Sequence, residues 1–149
     1  MSPSQNSKNS NIWDVVVIGG GASGMMAAGR AAELGKKVLL LEKNTSLGKK
    51  LLITGGGRCN VTNNKTNTRE MLAKYKGNDK FLFSTFSQFD VTSAIEFFKE
   101  RGMAMKEENE GRLFPVTNTA QSVYDVLYTY MQKGGVTIRK SSIVSGIKV

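Results

Sequence analysis

Residues 15–42 constrain the fold of this chain more than any other stretch. They read as an apolar strand, a tight glycine turn, a small-residue helix, a second apolar strand and an acid at its end. The turn Gly19-Gly20-Gly21-Ala22-Ser23-Gly24 fits G-x-G-x-x-G, with Gly19, Gly21 and Gly24 in the fixed places. Val15, Val16, Val17 and Ile18 form a β-branched run, the pattern of a parallel strand buried on both faces. Gly19 permits the sharp exit from that strand, Gly21 lets a phosphate approach the backbone, and Gly24 lets the helix lie close to the sheet. Ala27, Ala28, Ala31 and Ala32 keep the helix thin, and Gly35 is placed to end it. Residues 37–41 supply the second buried strand. A turn of this kind presents backbone N–H groups and a helix N-terminus to a pyrophosphate, so the unit predicts dinucleotide binding.

Glu42 follows Gly24 by 18 positions, close to the spacing of about 20 at which an acid receives ribose hydroxyls. An acid there disfavours a 2′-phosphate, and hence NADP in this half. A buried strand end offers a carboxylate no obvious packing use, which favours the ligand role over an ordinary βαβ unit.

Residues 47–64 are the second unusual region. Gly55-Gly56-Gly57-Arg58-Cys59-Asn60 cannot form a stable helix interior and suits a backbone pressed against a ligand. Lys49, Lys50 and Arg58 can supply positive charge to phosphates, Arg58 as a planar fork. The bland alternative is a flexible surface loop; the apolar approach through Leu51, Leu52 and Ile53 argues for burial instead.

The 149 residues suffice for one domain with a real core. Residues 1–11 are almost wholly polar, with no apolar centre, and read as a disordered tail rather than a secretory signal. No run approaches the ~20 apolar residues of a membrane span. With one cysteine, Cys59, and no histidine, the chain can form neither an internal disulfide nor a Ser-His-Asp or Cys-His catalytic group, and no metal site is expected. The lone thiol suits a cytoplasmic location and reads as a small buried filler. The net charge of +9 is spread without a run of like charges, which favours a solvated lysine-rich surface over a nucleic-acid surface.

Further along, residues 68–75 suggest a short helix. Phe81, Phe83, Phe86 and Phe89 match neither helical nor strand spacing, and read as core or domain-interface packing. Asp90 is placed to cap a helix through Arg101 that buries Val91, Ala94, Ile95 and Phe98 and ends at Gly102. Residues 103–107 and 112–114 suggest two short strands about an Asn-Glu-Gly turn, and Arg112 and Phe114 sit beside the rigid Pro115. Thr119 caps a further helix carrying Val123, Val126, Leu127, Tyr130 and Met131, with Gly134 at its end. Residues 136–139 predict a third parallel strand, and 143–149 the start of another, so the chain reads as an N-terminal piece of a longer protein.

Four blocks carry a family resemblance: Gly-Gly-Gly-Ala-Ser-Gly-Met-Met-Ala-Ala, Leu-Leu-Glu-Lys-Asn, Gly-Lys-Lys-Leu-Leu-Ile-Thr-Gly-Gly-Gly-Arg-Cys-Asn-Val-Thr-Asn and Gly-Arg-Leu-Phe-Pro. The chain resembles bacterial FAD-dependent oxidoreductases of the dehydro-bile-acid reductase and aminoacetone-oxidase-like group, whose FAD-binding half is similar to glutathione reductase. The resemblance implies an α/β, Rossmann-like FAD-binding domain with a parallel central sheet, incomplete at the C-terminus, over residues 12–149. It assigns Gly19, Gly21, Ala22, Ser23 and Gly24 to the pyrophosphate, and Glu42 and Lys43 to the adenosine ribose. It runs the segment from Lys49 and Lys50 through Thr54, Gly55, Gly56, Arg58 and Cys59 to Asn60 along the phosphates toward the flavin. Val144 falls where a backbone meets adenine, and residues 112–115 border the flavin or substrate. Hydride transfer through flavin N5 on a small-molecule substrate is implied, with NAD(P)H as a candidate donor in the full-length protein and no catalytic acid or base assigned. The resemblance places the rest of the flavin site and a substrate domain in later segments, so this piece alone is expected to be inactive. The other reading is an FAD- or nucleotide-binding protein acting on, or associated with, RNA.

Overall fold

The computed structural model describes residues 12–148 except 76 and 78, together with all side chains in that span but those of 76, 78 and 79. The tail expected over residues 1–11 lies outside the described residues.

The opening unit folds as its pattern dictates. Strand β1 (Val15–Ile18) leads through the glycine turn into helix α1 (Ala22–Glu33), which returns to strand β2 (Val38–Leu41). The strands run parallel, with Val15 opposite Val38 and Ile18 opposite Leu41. Helix α1 ends in a Schellman turn: the N–H groups of Gly35 and Lys36 donate to the carbonyls of Ala32 and Ala31, with Gly35 at φ +76°. Strand β6 (Thr137–Arg139) joins the far side of β2 in parallel, giving the order β1-β2-β6.

One expectation for β1 fails. Val16 and Ile18 are 49% and 55% exposed, so the strand is buried on one face only. Val15 and Val17 pack into the core beneath α1. The β-branched run specifies a strand, but burial of its second face requires a covering layer that these residues do not provide.

Helix α2 (Lys49–Gly57) follows, but its last turn is not helical: Thr54 is extended, and Gly55 and Gly56 are left-handed at φ +57° and +66°. The glycine run therefore ends the helix, as its composition predicts. A second, antiparallel sheet is built from β3 (Thr62–Asn63), β4 (Met105–Glu108) and β5 (Arg112–Pro115) in the order β3-β5-β4. The β4–β5 turn matches the expected Asn-Glu-Gly turn, whereas β3 escaped the sequence reading because two residues carry no detectable period.

Helix α3 (Thr68–Leu72) is short, and α4 (Asp79–Gln88) is helical where the aromatic spacing suggested no regular element. Leu82 and Phe86, four residues apart, form its half-buried face, while Phe81 is 82% and Phe83 53% exposed. These phenylalanines are therefore not core. Helix α5 (Val91–Glu100) is capped by Asp90, whose carboxylate accepts from the N–H and Oγ of Ser93. Helix α6 (Ala120–Lys133) is capped by Thr119, which accepts from Gln121 N–H. It packs on α1, where the ring of Tyr130 fills the space a side chain at Gly29 would need. Met25, Ala28, Leu40, Leu127 and Met131 lie in the core shared by the first sheet and these two helices. The strand expected from residue 143 is absent among the described residues: 142–148 take no regular structure, and Ile143 and Ile147 are exposed. A strand exists only as one side of a ladder, and no partner is present there.

Candidate functional site

The glycine turn is held from three sides. Gly19 leaves β1 at φ +101°, and its N–H donates to Leu41 O. A Cβ at Gly24 would run into the carbonyl oxygen of Gly19, so α1 approaches the turn as closely as the sequence requires. Gly20 occupies the variable position of the motif, yet a side chain there would strike Leu47 and Glu42 Oε2. Gly20 O also accepts from Gly48 N–H, which ties the turn to the start of α2.

Gly21 faces open space. Nothing lies within 4 Å of where its Cβ would stand. It is the N-cap of α1 and provides no side-chain cap, and no acid occupies the first turn. The first N–H groups of a 12-residue helix are thus left to solvent or an anion, with the positive end of the helix dipole behind them. Ala22 and Ser23 are exposed in that same turn.

Glu42 is buried, with 6% of its surface exposed. Its Oε2 accepts from Gly20 N–H at 2.7 Å, and its Oε1 accepts from Asn44 N–H at 2.8 Å and Asn44 Nδ2 at 2.6 Å. The Asn44 backbone N–H, the Gly20 N–H and the Asn44 side chain hold the carboxyl below the ordinary glutamate range, against the burial that would raise it. The expectation that a carboxylate at this strand end has no packing use is therefore wrong. Glu42 stitches the glycine turn to the end of β2, whatever else it binds.

These groups share one open cavity of about 320 Å³, at the lower end of the ~300–1,000 Å³ typical of ligand pockets. Gly19, Gly20 and Gly21 line it, as do Glu42, Lys43 and Asn44. Gly48, Lys49 and Lys50 and Ser142, Ile143 and Val144 complete the lining. Of the residues predicted from sequence, Gly19, Gly21, Glu42, Lys43, Lys49, Lys50 and Val144 meet here. Asn44, Gly20, Gly48, Ser142 and Ile143 were not anticipated; for Gly20 the triple glycine itself was the available signal. A larger cavity, about 650 Å³, lies at the far end of α1. There Glu33 accepts from Tyr130 Oη and pairs with Arg30, and Arg101 lies over the rings of Phe97 and Tyr130. Its principal polar groups are paired with one another, so it resembles a structural network rather than a ligand site.

The remaining predicted residues lie outside the 320 Å³ cavity. Gly24 serves packing. Thr54 Oγ1 donates to Leu51 O, and Gly55 is pressed against Asn60 N and the Phe114 ring. Gly56 and Asn60 are exposed, and Cys59 is a buried free thiol at φ +58°. Arg58 donates to both oxygens of Glu108 at 2.8 and 3.0 Å and lies 4.2 Å over the Phe114 ring. Its hydrogen bonds, aided by its charge, hold Glu108 below the ordinary glutamate range. In this state the guanidinium fastens the glycine loop to the β4–β5 hairpin rather than pointing a free fork at a phosphate.

Comparison with known proteins agrees with this architecture. The family described as HI0933-like protein Rossmann domain matches residues 13–149. The ribosomal RNA dihydrouridine synthase of Escherichia coli (strain K12) is 34% identical over 135 residues, covering 91% of this chain and 33% of that protein. The 3-dehydro-bile acid delta(4,6)-reductase of Clostridium scindens is 35% identical over 136 residues, covering 89% and 31%. The chain thus spans about a third of the length of the curated relatives it matches. Among solved structures, a flavocytochrome c3 fumarate reductase superposes with a TM-score of 0.62 at 17% identity, over 85% of this chain and 26% of that one. The 3-ketosteroid-delta4-(5alpha)-dehydrogenase of Rhodococcus jostii RHA1 gives 0.61 at 16%, over 91% and 40%. At that identity the likeness is one of fold.

Proposed function

The chain belongs to the HI0933-like Rossmann-domain family, and on that premise we propose that it supplies the FAD-binding part of a flavin-dependent oxidoreductase. One observation carries the proposal: an uncapped helix N-terminus, an unobstructed Gly21, a buried carboxylate and two exposed lysines converge on one cavity. That donor set fits FAD. The N–H groups at the start of α1 and the ammonium groups of Lys49 and Lys50 suit a pyrophosphate, and Glu42 and Lys43 suit the adenosine ribose. Val144 borders the same space and is assigned to adenine. Ala22 and Ser23 extend the phosphate wall, while Thr54, Gly55, Gly56, Cys59 and Asn60 are assigned to the path toward the flavin. Bound FAD supplies hydride transfer at N5; the chain's own residues bind and orient it. NAD(P)H as donor belongs to the proposal for the longer protein, as does a cytoplasmic location. Among the described residues no helix is long and apolar enough to cross a membrane.

Titration of the purified protein with FAD, ADP and 2′,5′-ADP tests the reading. FAD and ADP should compete for one site, and the 2′-phosphate should weaken binding by at least an order of magnitude, because it would meet Glu42. Failure of both FAD and ADP to bind at millimolar concentration would refute it.

The names of the relatives point to a shared reaction class. Both names denote addition of hydrogen to a carbon–carbon double bond: dihydrouridine is uridine plus two hydrogens, and delta(4,6) names the double bonds of the reductase's substrate. We propose the same class for the longer protein. A small-molecule acceptor is one reading. The other, uridine in RNA, rests on two relatives named for ribosomal RNA; the net charge of +9, spread without a run of like charges, does not itself argue for it. RNA affinity that falls steeply with salt, with a slope of several phosphates, together with loss of dihydrouridine from the RNA of a deletion strain, would select the second. Unchanged dihydrouridine would leave the first.

A further inference from the structure

Asn44 lies two residues beyond the strand-end acid and bonds in three directions. Its backbone N–H and its Nδ2 both donate to Glu42 Oε1, at 2.8 and 2.6 Å. Its carbonyl accepts from Ser141 N–H at 2.9 Å, beside the Ser142 N–H bond to Glu42 O at 2.8 Å. Ser141 is left-handed at φ +53°, a conformation that needs outside support in a residue with a side chain. Immediately after it come Ser142, Ile143 and Val144, which line the cavity. Asn44 therefore holds both the Glu42 carboxylate and the backbone leading into residues 142–144, which line the same cavity.

We propose that Asn44 is a positioning residue for the nucleotide, fixing the Glu42 carboxylate and the 141–144 segment against each other. The inference rests on the reading of this cavity as the adenosine end of an FAD site. With Oε2 tied to Gly20 and Oε1 tied to Asn44, the carboxylate plane cannot rotate, and the lone pairs left over point in fixed directions. A neutral primary amide on a short stem suits the task. Aspartate would set a second negative charge against Oε1, alanine would remove the donor, and glutamine is one methylene too long.

The test compares FAD and ADP affinity for the native protein, Asn44→Ala and Asn44→Asp at pH 8 and pH 5.5. Asn44→Ala should bind both ligands about tenfold more weakly at both pH values, the worth of one bond to a charged group. Asn44→Asp should lose more than that at pH 8 and recover at pH 5.5, where a proton shared with Glu42 restores a donor between the two carboxyls. Lys43, Lys49 and Lys50, the other charged groups lining the cavity, are the same in every variant, so comparison with the native protein at each pH removes their contribution. Native-like affinity in Asn44→Ala, or no acid recovery in Asn44→Asp, would overturn the proposal. A second measurement needs no variant: the Asn44 side-chain amide resonance of the native protein should move both on ADP addition and as Glu42 takes up its proton. A resonance indifferent to either would overturn it equally. If the native protein binds neither FAD nor ADP, the FAD reading itself falls; if it binds both and Asn44→Ala does too, only the role of Asn44 falls.

Discussion

Replacing Glu42 by Gln separates a ligand-binding acid from a structural one. The carboxylate is buried and receives three N–H donors at 2.6 to 2.8 Å. Gln has one acceptor oxygen and one NH2. If its oxygen stays with Asn44, its NH2 meets the Gly20 N–H donor to donor, and a buried N–H is left unpaired at a cost of about 1–3 kcal/mol. The two surviving bonds fall from charge-assisted to neutral strength, losing about 1 kcal/mol each. Relief of the burial of a charge offsets part of this. The net destabilisation should be about 2 kcal/mol with no nucleotide present. Urea unfolding followed by the fluorescence of Trp13, the one tryptophan, would show it as a lower midpoint with an unchanged slope. The pH dependence provides a second check. Glu42 titrates lower in the folded protein than in the unfolded chain, so its contribution is fully present above the unfolded-state value and is lost as pH falls through the folded-state value. The gap between native protein and Glu42→Gln should therefore narrow with acidification below the ordinary glutamate range. Equal midpoints at neutral pH, with only FAD affinity reduced, would refute the structural role argued here.

Other perturbations probe the same construction. Gly24→Ala should destabilise by about 3 kcal/mol and abolish FAD binding, because the new methyl can be accommodated only by moving α1 off the turn; a native-like melting temperature would contradict the packing. Asp90→Ala removes the cap of α5 and should cost about 1 kcal/mol at neutral pH. The Asp90 carboxyl is held below its ordinary value by the Ser93 backbone N–H and hydroxyl, so that difference should vanish as pH falls through the folded-state value; a pH-independent difference in chemical denaturation would count against it. Cys59, buried behind the glycine loop, should react with a thiol reagent orders of magnitude more slowly in the native protein than in urea. Equal rates would show that the loop is open.

The legible parts of this molecule are those whose cause lies within a few residues of their effect. Caps at Asp90 and Thr119, the stop at Gly35, the glycine run at 55–57 that cannot continue a helix and the β-branched run of β1 all act locally, and each is found where the sequence places it. What failed depends on distant or absent partners. Whether Val16 and Ile18 are covered is decided by another layer, not by their own side chains. Residues 143–148 have strand composition and no ladder to join. Arg58 looked free for phosphate because its partner Glu108 lies 50 positions away. The phenylalanines around α4 misled through number: the face that packs is set by Leu82 and Phe86, and Phe81 and Phe83, with Phe89 just beyond the helix, obscure that period.

On the proposed reading Glu42 would serve twice, as a structural acid and as the ribose acid, and this bears on how such a site works. A carboxylate waiting for a ribose in water would rotate among several positions, and binding would have to order it. Here Gly20 and Asn44 order it during folding, and the same bonds set the orientation of the turn whose next residue, Gly21, opens α1 toward the cavity. If Glu42 takes the ribose as proposed, its conformational cost would be met once, when the chain folds, and would not weigh on cofactor affinity. It follows that stability and affinity should fail together when these bonds are cut. Lys49 and Lys50 take no part in the bonds between the turn and Glu42, and both are exposed. Their replacement by Gln should weaken ADP binding and flatten its salt dependence while leaving the unfolding midpoint within about 0.5 kcal/mol of native. A loss of stability as large as that of Glu42→Gln would mean that the lysines, too, belong to the framework of the turn.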